Sequence, residues 1–211
     1  APAIPELLIY RLPRFGVKYV IGADPAEGNP TSDDSSFTVQ NKLTGEEVAS
    51  LSGKFQPDTF AQHIAATSRY YNRAGVLPER NNHGHAVILA LHKDAPDVPL
   101  LMGLDGEPGW LTTSASKAAM FDDAAKAFKE GDTTLYTLNT YLQLASIEGA
   151  TNRAPKQEHD DAAIGFALAL LARSRRPATT HQSNYMKDDK PVGGRTARDI
   201  WEEDEEREGS W

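Results

Sequence analysis

Cysteine is absent from the 211 residues of the chain, which excludes disulfide bonds and thiolate metal sites. This absence fits a reducing cytosol. No apolar run is long enough to span a bilayer, and the first residues lack the pattern of a secretory signal, so we expect no membrane association. The length suits one α/β domain with tails, or at most two small domains.

Basic residues are outnumbered by acidic ones, and the formal net charge of −8 at first argues against a nucleic-acid partner. Much of the excess lies in residues 199–211, where seven acids and one base give a charge of −6 and leave −2 for residues 1–198. A local basic face is therefore compatible with the composition. Its candidate members are Arg69, Arg73, Arg80, Lys117, Arg153, Lys156, Arg173, Arg175 and Arg176.

The pattern of apolar residues predicts a mixed α/β sheet flanked by helices. We predict strands over 18–24, 36–41, 47–51, 75–77 and 100–103, and helices over 58–73, 85–93, 114–129, most of 135–147, and 162–173. Pro78 is expected to cut the fourth strand short. We predict a leader over residues 1–16, one folded domain over 17–176, and a polar and acidic tail over 177–211.

Acidic residues stand at three places where predicted apolar elements begin or end. Asp24 ends the first strand, Glu79 closely follows the strand at 75–77, and Asp160 and Asp161 open the last helix. Ligand sites of such sheets gather at the carboxyl ends of strands, so we expect these acids to meet. Carboxylate oxygens suit hard divalent cations, and two such ions about 4 Å apart can hydrolyse a phosphodiester.

Each acid taken alone also has a structural interpretation. Asp24 precedes Pro25 and could simply open a turn, whereas Glu79 suits a solvated residue in a polar stretch. One of Asp160 and Asp161 is expected to cap the helix that follows, which leaves the other free. The combination favours a metal site in which Asp24 bridges two ions, while Glu79 and one of the paired acids hold one ion each.

Three further residues have two open interpretations each. Asp34, like its neighbour Asp33, either supports the first acidic cluster or is an ordinary loop acid. His159 either assists a water or phosphate beside the paired acids or is a solvated loop histidine. Lys42, near the tip of the predicted hairpin, either touches DNA or is merely exposed.

Taken in order, these motifs resemble the nuclease domain of the large terminase subunit of tailed bacteriophages. The resemblance covers about residues 17–175. It is carried by Tyr19-Val20-Ile21-Gly22-Ala23-Asp24-Pro25-Ala26-Glu27-Gly28, Asp34-Ser35-Ser36, Glu79-Arg80-Asn81-Asn82-His83-Gly84, and His159-Asp160-Asp161-Ala162-Ala163 running into Phe166-Ala167-Leu168-Ala169. It implies an RNase H-like (RuvC-like) fold for the domain at 17–176.

The resemblance also implies an endonuclease that uses two Mg²⁺ or Mn²⁺ ions to cut concatemeric double-stranded viral DNA during genome packaging. Such an enzyme acts in the host cell cytoplasm and is not part of the mature virion. The implied ligands are Asp24, Glu79 and one or both of Asp160 and Asp161, and we favour Asp161 over Asp160. Expected DNA contacts are Arg80, Lys42, Arg153 and Lys156.

The partners that the resemblance implies are a portal protein, the small terminase subunit and an N-terminal packaging ATPase. The sequence contains no Gly-x-x-x-x-Gly-Lys-Ser/Thr loop, so we expect the nuclease domain alone, with residues 177–211 docking to the portal. Two alternatives remain on related folds. One is a fragment of an actin-like ATPase, and the other is a non-catalytic module that binds DNA or the portal.

Overall fold

A five-stranded sheet lies at the centre of the described part of the chain in a computed structural model. The structure describes residues 1–149, 155 and 159–177, which belong to one compact unit, Ala1–Ala178. The strands are β1 (Leu8–Ile9), β2 (Tyr19–Asp24), β3 (Ser35–Asn41), β4 (Glu47–Gly53) and β5 (Gly75–Pro78). The helices are α1 (Pro57–Tyr70), α2 (Gly84–Asp94), α3 (Ser114–Glu130), α4 (Leu138–Ser146) and α5 (Asp161–Ala172).

The strands follow the order β1-β4-β3-β2-β5, and the sheet is mixed as predicted. The predicted hairpin is confirmed, because β3 pairs antiparallel with both β2 and β4. Strand β5 pairs parallel with β2, so the carboxyl ends of these two strands meet at one edge of the sheet. In the register of β2 and β3, Asp24 lies opposite Ser36 and Tyr19 lies opposite Asn41.

Pro78 does not cut β5 short, contrary to the sequence prediction. It lies opposite Ala23 in the parallel ladder, and its carbonyl accepts a hydrogen bond of 2.8 Å from the N–H of Trp110. The ladder to β2 then continues with the N–H of Glu79, which donates to the carbonyl of Ala23 at 2.7 Å. The strand tolerates proline because the N–H that bonds to the carbonyl of Ala23 belongs to Glu79, so the missing N–H of Pro78 is not needed there.

Helices cover both faces of the sheet, and β2 is buried on both sides. Ile21 packs in one apolar cluster with residues of α1 and α2, whereas Val20 packs in a second cluster with residues of α3 and α5. Side chains alternate along a strand, so Asp24 shares the face of Val20, on the side of α5. Leu77 belongs to the same cluster as Val20, and the same alternation puts Glu79 on the side of Asp24.

Gly22 allows α5 to lie directly on β2. A Cβ atom at this position would be 2.0 Å from the backbone nitrogen of Ala169 and 2.4 Å from the carbonyl oxygen of Gly165. Only glycine permits two backbones to come this close. Gly22 lies two residues before Asp24 on the same face of β2. Its contact with α5 therefore fixes the position of this helix relative to the end of β2.

Two segments differ from the sequence prediction. Residues 100–103 form isolated bridges, such as Leu100 with Val76, because the chain turns away at Gly103 and returns at Gly109. The predicted leader, residues 1–16, contributes β1, which pairs antiparallel with β4. The expected tail lies outside the described residues except for Pro177. Among the helices that the structure describes, none has the length and apolar character needed to cross a membrane.

Candidate metal centre

Asp24 and Glu79 lie together at the carboxyl ends of β2 and β5. Their carboxyl groups are near enough for Glu79 to raise the pKa of Asp24. Asp24 is only 7% exposed, whereas Glu79 is half-buried. The meeting follows from parallel pairing, which brings the two strand ends to the same edge, and from side-chain alternation, which directs both acids to the side of α5.

The backbone after Glu79 is held from two sides. Gly84, the first residue of α2, lies so close that a Cβ atom would be 1.9 Å from the carbonyl oxygen of Glu79. Arg80 donates its N–H to the carbonyl of Trp110 at 2.7 Å, and the side chain of Asn81 both accepts from and donates to the backbone of Thr112. Glu79 therefore does not lie on a free loop.

The third acid, Asp161, is the first residue of α5 and is only 6% exposed. Its Oδ2 accepts a hydrogen bond of 2.9 Å from the N–H of Asp34. Its carbonyl oxygen accepts a hydrogen bond of 2.6 Å from Oγ of Ser36, the residue opposite Asp24 in the sheet. These two bonds attach the start of α5 to the start of β3, beside the end of β2.

Neither acid of the pair caps α5, which corrects the sequence prediction. Asp160 occupies the N-cap position but makes no capping hydrogen bond. Its Oδ2 instead accepts a hydrogen bond of 2.7 Å from Nζ of Lys117 in α3. The cap comes from Oε1 of Gln143 in α4, which accepts the N–H groups of Ala162 at 2.8 Å and Ala163 at 3.1 Å.

The acids act on one another through their charges. Burial raises the pKa of Asp24 well above 3.8, and the charge of Glu79, the hydrogen bond to Glu79, and the charges of Asp161 and Asp160 raise it further. Burial also raises the pKa of Asp161 to about 6, against the lowering effect of the bond from Asp34. Both shifts mean that negative charge on Asp24 and Asp161 is poorly stabilised at this buried site unless a proton or a cation neutralises it.

This donor set fits a divalent cation. The available atoms are carboxylate oxygens, which Mg²⁺ and Mn²⁺ prefer. Among the residues that the structure describes, every charged group that shifts the pKa of Asp24 is an acid. A cation bound among Asp24, Glu79 and Asp161 would compensate their negative charge.

His159 borders the site on its exposed side. Its Nδ1 lies 3.2 Å from Oδ1 of Asp33 and 3.8 Å from Oδ2 of Asp161. Asp33, His159 and Asp161 each offer a ligand atom, and these atoms lie within 4.8 Å of one another. Asp34 contacts Asp161 through its backbone only. Its carboxylate pairs with Lys54 at 2.6 Å.

The expected DNA contacts do not gather around the acids. The Arg80 side chain is only 12% exposed and forms an ion pair with Asp105. Lys42 follows β3 and donates its N–H to the carbonyl of Lys18, just before β2, so it lies at the opposite end of these strands from Asp24, about 20 Å away. Arg153 and Lys156 lie outside the described residues.

Sequence reasoning missed three residues that support the acids, namely Ser36, Lys117 and Gln143. Ser36 lies within one of the motifs, but its bond to the Asp161 carbonyl depends on how α5 packs. Lys117 lies in the first turn of α3, and the sequence suggested it only as a member of a basic face. Gln143 carries no local signal, because a glutamine inside an amphipathic helix is ordinary.

The mixed sheet with helices on both faces agrees with the RNase H-like fold that the resemblance implies, and solved structures of phage nucleases share it. The large terminase nuclease from thermophilic phage G20c with bound magnesium superimposes with a TM-score of 0.65 at 21% identity, over 81% of this chain and 89% of that chain. The same nuclease with bound cobalt gives 0.65 at 22% identity, over the same shares of both chains.

The Thermus phage P74-26 large terminase nuclease domain gives a TM-score of 0.61 at 21% identity, over 80% of this chain and 86% of that chain. No family model matches the sequence, and no curated protein matches it. The predicted likeness to terminase nucleases is therefore confirmed at the level of the fold.

Proposed function

We propose that this chain is a metal-dependent nuclease that hydrolyses phosphodiester bonds of double-stranded DNA. One observation carries the proposal: Asp24, Glu79 and Asp161, which are distant in sequence, converge at one edge of a sheet whose fold is that of nucleases solved with bound magnesium and cobalt. The likeness to these nucleases suggests the class of reaction, and the burial of Asp24 and Asp161 beside other acids is the reason to expect a cation.

The ligands that we assign are Asp24, Glu79 and Asp161, with two Mg²⁺ or Mn²⁺ ions as cofactors. Asp24 is the shared ligand, because its strand lies between the other two acids: Glu79 follows the parallel neighbour β5, and Ser36, opposite Asp24 in β3, bonds to the backbone of Asp161. Asp160 is the weaker candidate, since its carboxylate is already paired with Lys117.

Bound divalent cations would supply a nucleophilic water at neutral pH and neutralise charge on the scissile phosphate. The protein's own contribution is orientation. The N–H of Asp34 fixes the carboxylate of Asp161, and Lys117 holds Asp160 beside it. His159 is exposed beside these acids, where its imidazole can form a hydrogen bond with a phosphate oxygen or with a water.

The biological setting follows from the resemblance to terminases. Residues 17–176 form an endonuclease domain of a viral DNA-packaging motor, which cuts concatemeric DNA in the host cell cytoplasm. Residues 177–211 dock to the portal protein, and a packaging ATPase and the small terminase subunit are the other partners. Sequence preference is low, because contacts to the DNA backbone carry no base information.

Cleavage of supercoiled plasmid DNA by the purified chain tests the proposal. We expect nicked and linear products with Mn²⁺ or Mg²⁺ and none with EDTA. Thermal unfolding with increasing Mn²⁺ provides an independent measurement. We expect Mn²⁺ to raise the free energy of unfolding by about 2.7 kcal/mol at about 100 times its Kd.

A folded protein that neither cleaves nucleic acid nor gains stability from Mn²⁺ contradicts the proposal and supports the non-catalytic alternative. Stabilisation by ATP with Mg²⁺, at a Mg²⁺ concentration that has no effect alone, supports the ATPase alternative instead. Equal loss of supercoiled plasmid in EDTA would identify a contaminating or metal-independent activity.

A further inference from the structure

A glutamine from a neighbouring helix replaces the local cap of α5. In an ordinary N-cap, the side chain of the N-cap residue accepts the N–H groups of the second or third helical residue. Here Asp160 is the N-cap residue, and the second and third helical residues are Ala162 and Ala163. Both of their N–H groups donate to Oε1 of Gln143.

We propose that Gln143 is a positioning residue for the metal site: by taking these two N–H groups, it keeps Asp160 paired with Lys117 and leaves the carboxylate of Asp161 free for the cations. The inference rests on the proposed function, because it assigns Gln143 a part in holding the cations. It concerns a residue in α4 that contacts no ligand itself and lies 17 residues before the acids.

Competition for the helix end is the physical basis. An aspartate beside free N–H groups at a helix start turns back to cap them, because this bond satisfies a backbone donor that has no helical partner. If Oε1 of Gln143 were absent, Asp160 would be drawn from Lys117 to the cap. That rearrangement would move a carboxylate next to Asp161 and leave Lys117 free to pair with Asp161.

Helix α4 is suited to hold Gln143 in place, because its own start is attached to the sheet. Glu47 of β4 is fully buried, and its Oε2 accepts the N–H groups of Tyr136 at 2.6 Å and Thr137 at 2.9 Å. The Thr137 hydroxyl donates to the other carboxylate oxygen at 2.7 Å. The sheet thus positions α4 through Glu47, and α4 positions the start of α5 through Gln143.

Mn²⁺ binding, measured by isothermal titration at a temperature well below unfolding, tests this role. Gln143→Met keeps the volume of the side chain and removes the acceptor. We expect the Kd for Mn²⁺ to rise about tenfold, the usual effect of removing a group that orients a metal ligand. Gln143→Glu keeps an acceptor oxygen, so its Kd should not exceed that of the wild type.

Gln62→Met is the matched control, since Gln62 is an exposed glutamine of α1 on the other face of the sheet. Its Kd should equal that of the wild type. A crystal structure of Gln143→Met should show Asp160 bonded to the N–H of Ala162 or Ala163.

If the role of Gln143 is purely structural, the substitution should affect stability and not Mn²⁺ binding. In that case Gln143→Met would lower the midpoint of thermal unfolding in EDTA and leave the Kd for Mn²⁺ unchanged, which would overturn the inference. An equal rise of the Kd in Gln143→Glu would overturn it as well. If the wild-type chain binds no Mn²⁺, both the proposed function and the inference are wrong. If the wild type binds Mn²⁺ and Gln143→Met binds it equally well, only the inference is wrong.

Discussion

Glu79 follows the strand that pairs in parallel with the strand of Asp24, so the two acids meet at one edge of the sheet. Burial, and after it the charge of Glu79, raise the pKa of Asp24 well above 3.8. A proton on Asp24, which could then donate to Glu79, or a bound cation would each relieve the repulsion between the two groups. An amide at position 24 would keep the donor and lose the charge.

Asp24→Asn should therefore fold and lose its activity. The amide can donate to Glu79, and the buried charge is gone, so we expect its free energy of unfolding in EDTA to equal or exceed that of the wild type. Plasmid cleavage with Mn²⁺ should fall by about 100-fold or more, and stabilisation by Mn²⁺ should be lost. The control is Asp123→Asn, on the exposed side of α3. If Asp24→Asn cleaves DNA at the wild-type rate, Asp24 is not a metal ligand.

Gly22→Ala should separate α5 from β2. The new methyl group would be 2.0 Å from a backbone atom that cannot rotate away, so the helix must move. We expect a loss of about 3 kcal/mol in urea unfolding and weaker Mn²⁺ binding, because Asp161 moves with its helix. Gly149→Ala is the control, since no atom of the described residues lies within 4 Å of the added methyl group. Unchanged stability in Gly22→Ala would mean that the two backbones are not held this close.

Lys117→Met should change metal binding and stability in opposite directions. The ion pair with Asp160 is largely shielded from water, so its loss should lower the free energy of unfolding in EDTA by about 1–2 kcal/mol. Removal of a positive charge beside the acids should lower the Kd for Mn²⁺, as measured by titration. Lys126→Met, on the exposed side of the same helix, should leave both quantities unchanged. Weaker Mn²⁺ binding by Lys117→Met would argue that Lys117 supports the cation site rather than competing with it.

Glu47 should make stability depend on pH outside the metal site. Burial raises its pKa above 4.5, and the bonds from Thr137 and Tyr136 oppose that shift only in part. The folded state then binds more protons than the unfolded state above pH 4.5, so this group lowers stability as pH rises from that value. Glu47→Gln can accept the two N–H groups and donate to the Thr137 hydroxyl, which keeps the contacts without the titration.

The measurement is the difference in free energy of unfolding between wild type and Glu47→Gln, in EDTA from pH 4 to pH 8. We expect the wild type to lose stability relative to the variant as pH rises above about 4.5. A difference that grows in the other direction would mean that the hydrogen bonds outweigh burial and lower the pKa of Glu47. Glu47→Ala is the second variant, and it should cost about 1–3 kcal/mol because two N–H groups lose their acceptor.

The convergence of Asp24 and Glu79 was predictable from the sequence because it depends on local rules. Apolar runs mark the two strands, each acid follows the carboxyl end of its strand, and ligand sites collect at such ends. The role of Pro78 was not predictable, because a missing N–H matters only if a neighbouring strand needs it. Lys42 was expected near DNA, but the length of β3 puts it at the far end of the sheet from the acids.

The amino-acid sequence alone established the α/β architecture, the acidic residues at the ends of its elements, and the resemblance to terminase nucleases, which suggests phosphodiester hydrolysis. Only the folded chain decided which groups face each other at the start of α5. Whether Asp160 caps its own helix or pairs with Lys117 depends on a competing acceptor, and that acceptor, Gln143, is supplied by another helix. Likewise, Lys117 neutralises Asp160 because α3 packs beside α5, a contact between segments 43 positions apart that no local pattern encodes.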